Sequence, residues 1–87
     1  MEDQEFLRRI KEKIERATGR PVEVVVHAEE PTHISVHLDT PVPRVVLGSG
    51  IFRYPGLARL GVEYAVACLR RGRAIGELEF HVLLRRN

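Results

Sequence analysis

The 87-residue chain has no tryptophan, one methionine and one cysteine, and aromatic side chains make up only 6% of it. A single thiol excludes an internal disulfide, so the fold must stand on its core. Cys68 lies within an apolar helical pattern, where a thiol usually behaves as a small buried hydrophobe. No run approaches the eighteen or so apolar residues needed to span a bilayer, and the first twenty residues are charged rather than patterned as a secretion signal. These absences predict a cytoplasmic chain with no membrane partner. Lysine is nearly missing as well: two lysines stand against twelve arginines, with a formal charge of only +2. That balance is too even to imply a nucleic-acid partner, although the preference for arginine is compatible with one.

What remains is ordinary globular material, 44% apolar and 30% charged, and its length suits a single domain over residues 1–87. Phe6, Leu7, Ile10, Ile14 and Ala17 recur three and four apart and predict a helix from Asp3 to Thr18, with Gly19 just past its end and Pro21 barring continuation. Val22 to His27 and His33 to Asp39 read as two strands joined by a turn at 28–32. As a direct hairpin they set Val26 beside Ile34, Val24 beside Val36, Glu23 beside His37 and His27 beside His33. Arg44 to Leu47 predicts at most a short edge strand after two prolines. Pro55 opens a second helix running to about Arg71, with Gly72 ending it. Alternation of Leu78, Phe80, Val82 and Leu84 predicts a last strand. The expected fold is therefore α+β, in the order α-β-β-(β)-α-β, with a three- or four-stranded sheet and two helices packed on one face.

Three groups of residues invite a functional reading. The histidines come first. If the last segment joins the sheet, His27, His33, His37 and His81 share the face away from the helices. His33 and His37 stand about 13 Å apart along one strand, too far to bind one metal, so the metal candidates are His27, His33 and His81. A solvated sheet face explains the same pattern without any metal. The arginines come second: Arg70, Arg71 and Arg73 at a helix end, with Arg53, Arg85 and Arg86 elsewhere, are the residues an RNA partner would use, but exposed aromatics for base stacking are scarce. Last, the second helix is apolar nearly all round. Val62, Val66 and Leu69 therefore predict self-association, or another protein as partner.

No enzyme or cofactor motif is legible. Gly48-Ser49-Gly50 is too short for a dinucleotide or P-loop fingerprint. Val62-Glu63-Tyr64-Ala65-Val66 has the frame of a His-Glu-x-x-His zinc helix, but valine stands at both ligand positions. The element order suits a type II KH domain, yet no Gly-x-x-Gly occurs between the helices. The chain reads as a non-enzymatic interaction domain, self-associating, with RNA binding or a metal or enzymatic site on the histidine-bearing sheet face as alternatives.

Overall fold

The apolar stripe of the N-terminal segment makes helix α1, Glu2–Thr18, and it buries Ile10 and Ile14 against the core. Gly19 closes the helix in the left-handed conformation, φ 70°, which a residue without Cβ adopts at no steric cost. Glu15 ties this end to the start of the sheet: its Oε2 accepts from Lys11 Nζ at 2.7 Å and from the Val22 backbone N–H at 3.0 Å. The computed structural model describes residues 2–86.

Three strands come next, β1 (Glu23–His27), β2 (Ile34–His37) and β3 (Arg44–Gly48). Their order across the sheet is β1-β3-β2, with β3 parallel to β1 and antiparallel to β2. The direct β1–β2 hairpin is thus corrected, and the segment expected to be an edge is the central strand. The physical reason lies at the two ends of β3. Pro43 precedes the strand, where a missing N–H disturbs no ladder, and its carbonyl accepts the Glu23 N–H at 2.8 Å. At the other end, the 28–33 loop crosses over β3 rather than turning back beside β1. It can cross because Gly48 and Gly50 have no side chains: a Cβ at Gly48 would fall on the carbonyl oxygens of Glu30 and Pro31.

The rows of the sheet nevertheless hold the residues that the hairpin register matches. Val26 and Ile34 both flank Leu47, Val24 and Val36 flank Val45, Val25 and Ser35 flank Val46, and Glu23 and His37 flank Arg44. Side-chain alternation depends on chain parity, so an inserted strand doubles the distance without changing the face. Val45 and Leu47 are fully buried under the helices.

After a 3-10 turn at Ser49–Phe52, helix α2 runs from Pro55 to Arg71 and ends at left-handed Gly72. Its inner stripe is Ala58, Gly61, Ala65, Cys68 and Leu69. Small residues along that stripe let the helix approach the sheet, with Gly61 directly over Leu47. Helices α1 and α2 together cover one sheet face.

The last segment is a helix, α3 (Glu77–Arg86), and not a strand. Leucine, glutamate and arginine favour helix, with acids in its first turn and Arg85 and Arg86 in its last, which suits the helix dipole. The same residues that alternate also place Phe80, Leu83 and Leu84 three and four apart, beside Val62, Val66 and Ala67 of α2. Phe80 meets Tyr64 edge-on at 5.3 Å, and Tyr64 Oη donates to the Ile75 carbonyl at 3.0 Å. Helix α3 thus docks at Tyr64, and an open cavity remains between it and Val62 and Val66 of α2. The order is therefore α-β-β-β-α-α, with three strands and three helices. Among the described residues no helix is long and apolar enough to cross a membrane.

Candidate functional site

The face of the sheet turned away from the helices carries Glu23, Val25 and His27 from β1, Arg44 and Val46 from β3, and Ser35 and His37 from β2, with His33 just before it. At its upper end His27 pairs in register with Gly48, while the Gly48 N–H donates to the His33 carbonyl at 2.7 Å. The two histidines therefore flank a residue with no side chain. Their ring centroids are 4.7 Å apart, with the planes tilted by 32°.

The connecting loop supplies a third group. Backbone bonds from His33 N–H to the Glu30 carbonyl (3.3 Å) and from Gly50 N–H to the Pro31 carbonyl (2.9 Å) hold it down on β3. Glu30 Oε1 then lies 3.0 Å from His33 Nδ1. That hydrogen bond is the main cause holding the Glu30 carboxyl below its usual range, with the charges of His27 and His33 adding to it against a small effect of burial. His27 Nδ1 accepts the backbone N–H groups of Glu29 and Glu30 at 3.3 and 3.2 Å, both long contacts. One ligand atom from each of His27, Glu30 and His33 lies within 4.8 Å of the others.

A polar chain continues down the strand from this cluster. His33 Nε2 is 2.9 Å from Ser35 Oγ, and Ser35 Oγ is 3.2 Å from His37 Nε2. Glu30, His33 and Ser35 thus stand in the order of an acid, base and hydroxyl relay. The two cavities beside α2 lie away from these residues. The arrangement can hold a cation or move a proton.

Sequence periodicity pairs His27 with His33 but does not reveal Glu30, which has the look of a routine turn acid. It also leaves Ser35 unmarked, although the alternation His33-x-Ser35-x-His37 places all three on one face. His81, the third metal candidate, lies on α3 outside the sheet, where its Nε2 is 3.6 Å from Glu77 Oε1. It joins no cluster with His27 and His33, because the strand that would have brought it there is a helix.

The six arginines expected to serve an RNA partner are spread over the ends of α2 and α3 and the 3-10 turn. Arg71 and Arg73 both reach the Glu79 carboxylate, at 3.3 and 3.0 Å. Arg70 donates to the Ala17 carbonyl at the end of α1, at 3.1 Å. Arg85 and Arg86 sit in the last turn of α3, and Arg53 comes directly after the 3-10 turn. Of the residues expected to mediate self-association, Leu69 is 4% exposed within the core and offers no contact surface, whereas Val62 and Val66 are half-buried at its margin. No known protein family matches the chain, and neither the curated proteins nor the solved structures contain a match.

Proposed function

We propose that this chain is a small transition-metal-binding domain whose site is formed by His27, Glu30 and His33. The observation that carries the reading is the convergence of two imidazoles and an ionised carboxylate within 4.8 Å on a loop tied to the end of β3. An ion bound at about 2.0–2.2 Å to a nitrogen and an oxygen at a tetrahedral angle keeps those atoms about 3.3–3.6 Å apart. Glu30 Oε1 and His33 Nδ1 are 3.0 Å apart, so a metal can replace the proton between them with little movement. His27 then exchanges two long backbone contacts for a metal bond.

Two nitrogens and one carboxylate oxygen suit zinc and other borderline divalent ions. Three protein ligands leave at least one coordination position open. Because the core lies on the other side of the sheet, the site supports reversible binding rather than a fold that depends on metal. A lone cysteine, which forms no internal disulfide, fits a cytoplasmic setting. Calorimetric titration with zinc should show one site, weakened at least tenfold by His33→Ala and by Glu30→Gln. Binding that survives His27→Ala and His33→Ala together, or no heat at micromolar zinc, would sink the proposal.

Self-association is a second reading, and its strongest observation lies on α3 rather than α2. Leu78 is 82% exposed and Val82 55%, one turn apart on the outer side of that helix. Paired in a dimer they would leave water. Sedimentation velocity that shows only monomer at high micromolar concentration would end this reading.

A further inference from the structure

The second candidate site lies on the opposite side of the molecule. Between α1, the 3-10 turn and α2 is a cavity of about 460 Å³, within the range of roughly 300–1,000 Å³ common to small-molecule sites. Its apolar surface comes from Phe6, Ile10, Ile51, Phe52, Ala58 and Val62. Ile10, Ile51 and Ala58 belong to the buried core, and Phe6 and Phe52 pack together with ring centroids 5.6 Å apart. The floor is therefore built from rigid elements, and a ligand would not have to organise it.

Four cations border this apolar floor: Arg9 and Lys13 from α1, Arg53 after the 3-10 turn and Arg59 from α2; Glu63 is the only acid among the lining residues. Arg9 leans toward Glu5 at 3.7 Å. Among the described residues, no carboxylate lies within ion-pairing distance of Lys13, Arg53 or Arg59. Arg71 and Arg73, at the far end of α2, share the Glu79 carboxylate instead. Three cations with no acid partner around an apolar hollow give it a positive rim that attracts an anion.

We propose that this cavity binds a single-chain organic anion, with an apolar tail on the Phe6–Ile51–Val62 floor and a carboxylate head among Lys13, Arg53 and Arg59. The apolar floor distinguishes such a ligand from a polyanion. Phe52 is packed against Phe6 rather than presented as a free stacking platform, and Glu63 opposes a second negative charge in the same space. The site depends on neither the histidine cluster nor its metal, so the two proposals stand or fall separately.

Decanoate, below its micelle concentration, is the probe. Titration followed by two-dimensional NMR should give saturable one-to-one binding, with shifts centred on Ile10, Ile51 and Ala58. Arg53→Glu with Arg59→Glu, both exposed positions, should weaken it at least tenfold, while His27→Ala with His33→Ala leaves it unchanged. Decanol and decyltrimethylammonium should bind at least tenfold more weakly than decanoate. Equal binding of the three amphiphiles, insensitivity to the two charge reversals, or no saturable binding would each overturn the proposal. So would displacement of decanoate by a single-stranded RNA oligonucleotide with a steep salt dependence, which would mark a polyanion site instead.

Discussion

His27 ends β1 and His33 leads into β2, two strands that never touch, yet their imidazole centroids are 4.7 Å apart. The intervening position is Gly48, and the missing side chain there sets the path of the loop. It lets the Glu30–Pro31 backbone lie across the end of β3, and that loop carries the chain from His27 to His33.

Gly48→Ala should therefore disturb the loop before anything else. The new methyl group would meet backbone carbonyl oxygens, which have less freedom to move than a side-chain tip. Overpacking of this kind typically costs about 1–3 kcal/mol. Urea denaturation should show a loss of that order, and zinc affinity should fall at least tenfold. Undiminished zinc binding would mean that the loop's seat on β3 does not build the site.

The chain from Glu30 to His37 makes a second prediction, about proton positions. With Glu30 ionised, His33 Nδ1–H donates to it, so the neutral ring accepts the Ser35 hydroxyl proton at Nε2, and Ser35 Oγ accepts from His37 Nε2–H. A metal at His33 Nδ1 reverses every step: His33 Nε2–H donates to Ser35, and Ser35 donates to His37 Nε2. Saturating zinc should move the His37 proton from Nε2 to Nδ1, seen in its ¹⁵N shifts. Ser35→Ala should abolish that response and weaken zinc about tenfold, in line with losses of supporting groups behind a metal ligand. If the His37 shifts do not change on zinc binding, the chain is not coupled to the site.

Much of this arrangement was legible in the sequence because periodicity reports which face a residue occupies. The stripe of α1, the extent of α2 with Pro55 and Gly72 at its ends, and the common face of Val24, Val26, Ile34 and Val36 all derive from it, although β3 separates the pairs expected to be direct partners. Strand order does not. Whether β3 lies outside β1 and β2 or between them depends on a loop crossing over Gly48, a contact between residues about seventeen positions apart. Leu78 to Leu84 fits both periods over so short a span, and only the docking of Phe80 on Tyr64 decides between them. Glu30 is hidden from periodicity for the same reason as the strand order: its role depends on where the crossing loop lands.

Acid should weaken the fold through its paired carboxylates. Glu15 is held below the ordinary value of 4.5, first by its hydrogen bond from Lys11 and then by the Val22 N–H; Glu30 is lowered first by its hydrogen bond with His33. A carboxylate with a depressed folded-state value stabilises the fold above its unfolded value, and that contribution is lost as pH falls through the folded value. Stability should therefore hold from neutral pH down to about 5 as far as these groups are concerned, then decline below about 4.5. Urea midpoints at about pH 6 and pH 3.5 will show it, and Glu15→Gln should reduce the difference between them. An equal difference in that variant would show that the Glu15 bridge from α1 to Val22 is not maintained in solution.

Helix α3 provides the last prediction, since its attachment is narrow. None of its side chains is fully buried, and it is held on α2 by Phe80 against Tyr64 and by Arg71 and Arg73 on Glu79. Those ion pairs are exposed, and exposed pairs add little to global stability. The core formed by Ile14, Val45, Leu47 and Ala65 contains no residue of α3. Glu79→Ala should consequently speed amide exchange from about Glu77 to Arg86 while leaving the protection of β3 unchanged and the melting temperature nearly so. Leu47→Ala should do the reverse, removing about 2–5 kcal/mol from the whole domain and raising exchange everywhere together. Were Glu79→Ala to loosen β3 as much as α3, the terminal helix would be part of the same cooperative unit, and its docking on Tyr64 would be structural rather than peripheral.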